Sequence, residues 1–88
     1  MYMDDLIKQI VEENLSPTHY ELINESHKHA GHAGDDGSGQ THYKLIVVSS
    51  IFGVCSRVER QRMVMEHLKP AFSKGLHAIS MKLSTPDE

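Results

Sequence analysis

Apolar and polar positions divide the chain into five patterned segments. From Asp4, the residues Leu6, Ile7, Ile10, Val11 and Leu15 recur at the i, i+1, i+4, i+5 spacing of one helix side. Acids stand near its start, where the macrodipole favours them. Pro17 follows, and "THYELINE" sets Tyr20, Leu22 and Ile23 against His19, Glu21 and Asn24 in an imperfect alternation, which predicts a short, partly exposed strand. "HYKLIVVSS" is rich in β-branched and aromatic residues and almost continuously apolar from Leu45 to Val48. That predicts a buried strand paired with the first.

After the Gly-containing turn in "IFGVCS", residues 57–72 carry Val58, Met63, Val64, Leu68, Ala71 and Phe72 at helical spacing, with Arg57, Arg60, Arg62 and Glu66 mostly on other faces. Pro70 predicts a kink or break in the last turn, and Gly75 suits a C-terminal cap. "HAISMKLS" places His77, Ile79, Met81 and Leu83 on one face of a strand and Ala78, Ser80 and Lys82 on the other. "STPDE" predicts the start of a last helix, with Ser84 or Thr85 as N-cap and Pro86 at the first position. The order α-β-β-α-β defines an α+β domain whose helices pack on one face of the sheet.

The length of 88 residues leaves room for one domain, spanning 1–88, with a single small core. A composition of 39% hydrophobic and 24% charged residues is that of ordinary folded domains rather than of disordered or fibrous chains. The chain has no apolar run of membrane-spanning length, and "MYMDDLIKQI" lacks the features of a signal peptide. These features predict an intracellular, cytoplasmic or mitochondrial protein without a membrane partner. Cys55 is the one cysteine, so no internal disulfide forms. A formal charge of -3 gives no global attraction to nucleic acid, and any such binding has to come from a local patch.

The segment "HKHAGHAGDDGSGQTHY" concentrates the candidate chemistry. It holds His27, His29, His32 and His42 among Gly31, Gly34, Gly37 and Gly39. Neutral imidazole is a good ligand for iron and zinc, and a Gly-flanked loop can carry it to a metal without straining the sheet. Solvated histidines in a glycine-rich loop need no metal, however, and no zinc spacing with cysteines is present. On residue type alone His77 reads as a satisfied core histidine on the apolar face of its strand rather than as a ligand. His42 reads as a structural residue at a strand edge, His19 and His67 as surface residues, and Cys55 as a non-ligand. Arg57, Arg60, Arg62 and Lys69 form a basic row that reads either as a solvated helix face, interleaved with Glu59 and Glu66, or as a nucleic-acid contact. "GHAG" matches the GxxG of RNA-binding KH domains but lies between two strands, where it cannot join the two helices that clamp phosphates in that mode.

The order and separation of "NESHKHAGHAG", "THYKLIVVSSIF", "RVERQRMVMEHLKPAF" and "GLHAISMKLSTPDE" resemble the BolA-like family over nearly the whole chain from about Leu6. The resemblance implies a type II KH-like fold, α-β-β-α-α-β-α with a three-stranded sheet, including a short extra helix near residues 55–58. It implies partnership with a monothiol glutaredoxin and a [2Fe-2S] cluster shared with that protein and glutathione. His77 and a loop histidine then become ligands. Aligned from "NES" the loop ligand is His29, and aligned from "THY" His32 comes closer. Bacterial relatives are described as transcriptional regulators, which keeps weak DNA binding through Arg57, Arg60, Arg62 and Lys69 as the alternative. No nucleophile–base pair with an orienting third group can be assembled from the spacings, so a non-enzymatic adaptor is expected, monomeric or weakly dimeric by itself.

Overall fold

The computed structural model describes residues 2–29 and 36–88. The first helix, α1 (Tyr2–Leu15), leads into β1 (His19–Asn24) and a 3-10 turn over Ser26–His29. Then come β2 (His42–Val48), a second 3-10 turn over Ser50–Val54, α2 (Arg57–His67), α3 (Lys69–Ser73) and β3 (Ala78–Ser84). The sheet order is β1-β2-β3, with β1 antiparallel to β2 and β3 parallel to it. The architecture of the described residues is therefore α+β, three α-helices on a mixed three-stranded sheet.

All three helices cover the same face of the sheet. Tyr43, Leu45 and Val47 of β2 are buried with Met3, Ile7, Ile10, Val11 and Leu15 of α1, Val64 of α2 and Ala71 of α3. Tyr20 and Leu22 from β1 and Ile79, Met81 and Leu83 from β3 pack against this core. Removing such side chains from water is the main favourable contribution to folding. Tyr43 also reaches α1 through polar contact, its hydroxyl donating to Asp4 Oδ1 at 2.6 Å. Burial, and then that bond, push the phenol above its ordinary pKa.

Three expectations need correction. β2 is the central strand, but only its Tyr43, Leu45 and Val47 face is buried throughout. On the other face His42 is buried at the start of the strand while Lys44 is exposed and Ile46 and Val48 are half-buried, because among the described residues the helices lie on the first face. The helix expected over residues 57–72 is two helices. α2 ends at His67, Leu68 serves as its C-cap and as the N-cap of α3, and Pro70 sits in the first turn of α3, where its missing N–H costs nothing. No separate short helix occupies 55–58: residues 57 and 58 already belong to α2, and the short helical turn stands earlier, over Ser50–Val54. Cys55 closes the preceding 3-10 turn, and Ser56 caps α2 through a reciprocal capping box with Glu59, its hydroxyl accepting from the Glu59 N–H while the Glu59 carboxylate accepts from the Ser56 N–H.

The closing helix is likewise not formed among the described residues. Thr85–Glu88 makes a turn, in which the Thr85 N–H donates to the Glu88 carboxylate at 3.0 Å and the Glu88 N–H to the Thr85 carbonyl at 3.1 Å. Gly75 follows the cap of α3 with φ +120°, a backbone region that side-chain-bearing residues rarely adopt.

Candidate functional site

Because β2 and β3 run parallel, both begin at one end of the sheet, and the candidate site lies there. The carbonyl of Thr41 accepts the N–H groups of His77 at 2.9 Å and Ala78 at 3.1 Å, which fixes the backbone at the start of β3. The Thr41 hydroxyl is hydrogen-bonded to His42 Nδ1 at 2.7 Å. One buried residue thus carries two histidines. Their rings stand 5.2 Å apart between centroids, tilted by 46°. His77 is exposed, whereas His42 retains 6% of its surface.

The loop that follows β1 is fastened to the same end. The Ser26 hydroxyl oxygen accepts the N–H groups of Thr41 at 3.0 Å and His42 at 3.1 Å, so the turn Ser26–His29 is tied to the first residues of β2. Asn24 closes the mouth of the loop, its Oδ1 accepting from the Ser26 N–H at 2.9 Å and its Nδ2 donating to the Gly39 carbonyl at 2.6 Å. On the returning limb, Gly37 and Gly39 take positive φ, and Asp36 accepts the Ser38 N–H at 2.9 Å. Hydrogen bonding to Ser38 holds the Asp36 carboxyl below its usual range. A Cβ added at Gly75 would meet Asp36 Oδ2 at 3.8 Å, so this limb passes beside the α3–β3 turn, two residues from His77. A hollow of about 220 Å³ opens there between Glu25, His42, Tyr43, Ala78, Ile79 and Ser80.

Of the predicted metal ligands, His77 therefore stands exposed at this end. His29 closes the turn that leads from Ser26, and its side chain and the whole of His32 lie outside the described residues. Among the described residues, no group of three or more His, Cys, Asp or Glu side chains converges as a metal would require. Cys55 lies beyond the far end of β2, the seven-residue strand that His42 begins. At about 3.3 Å per residue, that strand alone spans roughly 20 Å.

The basic row is different from its expectation. Arg60, 6% exposed, turns inward. Its two terminal nitrogens donate to Glu88 at 2.6 and 2.8 Å, Nη1 also reaches the Leu83 carbonyl at 3.3 Å, and Nε donates to the Cys55 carbonyl at 3.2 Å. The guanidinium carbon stands 6.0 Å from the Phe52 ring centroid. Arg60 is thus a structural residue and leaves the row of phosphate contacts. The Arg60 hydrogen bonds in turn pull the Glu88 carboxyl down to about 2. Arg57, Arg62 and Lys69 remain exposed, and Lys69 pairs with Glu66 at 3.0 Å.

Sequence reasoning passed over Ser26 and Thr41, whose hydroxyls organise the site. Their signal was faint: a small hydroxyl residue on each side of a glycine-rich loop is ordinary turn composition. The pairing of His42 with His77 was also missed, because it depends on the parallel register.

Comparison with known proteins follows the same outline. A family model described as BolA-like protein matches residues 11–88. An uncharacterized protein in the cobS 5′ region of Sinorhizobium sp. is 40% identical across the whole of this chain and 96% of its own length. The DNA-binding transcriptional regulator BolA of Haemophilus influenzae is 27% identical across the whole chain and 82% of its own length. Among solved structures, the BolA domain of SufE1 from Arabidopsis thaliana superposes with a TM-score of 0.84 at 35% identity, covering 94% of this chain and 91% of that one.

Proposed function

Since the chain belongs to the BolA-like protein family, we propose that it is an iron–sulfur cluster-binding adaptor that pairs with a monothiol glutaredoxin in [2Fe-2S] trafficking or iron regulation. In this reading the cluster is cargo. His77 and one loop histidine, His29 with His32 in reserve, hold it from this side, while a glutaredoxin cysteine and a glutathione thiolate hold it from the other.

The observation that carries the proposal is the exposed His77 at the sheet end where the histidine loop is fastened. The donor set fits half of such a site. Imidazole nitrogen is a suitable ligand for iron, and two nitrogens opposite two sulfurs have a chemical precedent in Rieske centres. This chain can supply nitrogen there but no thiolate, since Cys55, its one cysteine, lies beyond the opposite end of β2. Sulfur ligands must come from a partner, and His77 is open to one. Thr41 holds the His77 backbone, so the chain's own part is to present the imidazole at a fixed place. A protonated ring cannot ligate, so cluster binding weakens as the medium is acidified. Among the described residues no helix is long and apolar enough to cross a membrane, and we place the adaptor inside the cell, in cytoplasm or mitochondrion, monomeric or weakly dimeric when alone.

The test is the visible spectrum of the protein mixed with a monothiol glutaredoxin, glutathione, iron and sulfide. A charge-transfer spectrum distinct from that of glutaredoxin alone supports the reading, and its absence rejects it.

A second reading, a nucleic-acid-binding regulator, draws on exposed Arg57, Arg62 and Lys69 and on the name of the Haemophilus relative. The inward turn of Arg60 weakens it.

A further inference from the structure

We infer that His42 is a positioning residue for His77: its nearly buried ring, held by the Thr41 hydroxyl, packs on the exposed imidazole and restricts the directions in which His77 can present its nitrogens to a ligand. The inference rests on the proposed role of His77 as a ligand. It starts from the contrast between the two rings. His42 is 6% exposed and bonded through Nδ1 to Thr41 at 2.7 Å, so its orientation is set. His77 is exposed, and the His42 ring stands 5.2 Å from its own. That separation lies within the range of about 4.5–7 Å at which aromatic rings pack, and the 46° tilt stands between stacked and edge-to-face arrangements.

Thr41 makes the arrangement rigid from both directions. Its carbonyl fixes the His77 backbone, its hydroxyl fixes the His42 ring, and its own N–H is held by the Ser26 hydroxyl at 3.0 Å. A ligand whose directions are restricted before binding loses less freedom when it binds. Positioning of this kind depends on a flat ring at residue 42 and makes no use of a free nitrogen there. A ligand role for His42 makes the opposite demand. The two are separable by substitution.

The experiment uses the full chain with His42→Ala, His42→Phe, Thr41→Val and His77→Ala, each checked for folding by circular dichroism. In the free protein, ring-to-ring nuclear Overhauser effects and side-chain relaxation report the order of His77. In the mixture with a monothiol glutaredoxin, glutathione, iron and sulfide, visible circular dichroism and the electron paramagnetic resonance of the reduced cluster report its ligation. His42→Ala is expected to mobilise the His77 ring, broaden the cluster signals and shorten the lifetime of the mixed cluster several-fold. His42→Phe restores ring order and most of the lifetime, and Thr41→Val lies between.

An unchanged His77 ring in His42→Ala overturns the inference. So does a His42→Phe variant as damaged as His77→Ala, which would make His42 a ligand. Should His42→Ala not fold, His42→Phe and Thr41→Val decide between the same outcomes. If His77→Ala leaves the cluster signals unchanged, the proposed function fails, while the relaxation of the free protein still decides whether His42 orders His77.

Discussion

Arg60 and Glu88 meet fork to fork, with N–H···O distances of 2.6 and 2.8 Å, and this pair ties α2 to the turn that follows β3. Bidentate pairs of this type are more specific in geometry than single ion pairs. Arg60→Ala breaks the pair and also removes the donors that serve the Cys55 and Leu83 carbonyls. It is expected to lower the thermal midpoint by several degrees, clearly more than Arg57→Ala or Arg62→Ala, as followed by circular dichroism.

The same pair sets an acid limit. The Glu88 carboxyl lies near 2 in the folded chain against an ordinary value of 4.5, chiefly because Arg60 hydrogen-bonds to its charged form. A depressed folded value means that the stabilisation is complete above about pH 4.5 and is lost as pH falls from there toward 2. Urea midpoints measured from pH 6 to pH 2.5 should fall in the wild type, and Glu88→Gln should flatten part of that decline. Parallel curves for the two proteins would refute the assignment.

DNA affinity, where it is detected, is expected to be weak and steep in salt. Arg57, Arg62 and Lys69 remain for phosphate contact, which corresponds to a log–log salt slope of about -2 to -3. Titration of a labelled duplex at several salt concentrations measures it. Sequence-specific binding that survives physiological salt and ignores those three residues would contradict the expectation.

His77→Ala should abolish the stable mixed cluster and spare the fold. The ring is exposed, and surface substitutions usually change stability by no more than ~0.5 kcal/mol. The pairing of β2 with β3 uses the backbone at this position, which the substitution keeps. Thermal unfolding and the visible spectrum of the mixture together check both halves.

Within the loop, His29→Ala is expected to weaken the mixed cluster more than His32→Ala, with a partial effect for each. His29 follows the anchored residues Ser26 and Glu25 without a glycine between, whereas length changes are easily accommodated from Gly34 to Gly39. Greater damage from His32→Ala would show that the register must be taken from the strand side.

Phe52 is fully buried, and its ring backs the Arg60 guanidinium. Phe52→Ala should cost about 3–5 kcal/mol in a chemical denaturation experiment, since it empties a core position that cannot easily collapse.

Local patterns carried much of this fold. The apolar spacing from Leu6 to Leu15, the alternation from His77 to Leu83 and the punctuation at Pro70 and Gly75 each correspond to an element or a boundary. What escaped was relational. Arg60 stands between Glu59 and Gln61 in a segment that looks solvated, and its partner Glu88 is 28 residues away. The uneven burial of the two faces of β2 likewise depends on how many layers cover a sheet, which the apolar run alone does not state. Thr41 and Ser26 matter because of where their hydroxyls end up, and short polar side chains give no period from which to read that.

The parallel register of β2 and β3 also has a temporal consequence. His42 and His77 are adjacent only after the intervening chain has crossed over and returned, whereas β1 and β2 can pair as neighbours in sequence. Contacts between distant parts of a chain form against a larger loop-closure cost and are generally the slower ones to assemble. The histidine pair is therefore expected to form after β1 has paired with β2. An unfolded chain holds the same seven imidazoles without the arrangement, so the pair reports that the crossover to β3 has been made.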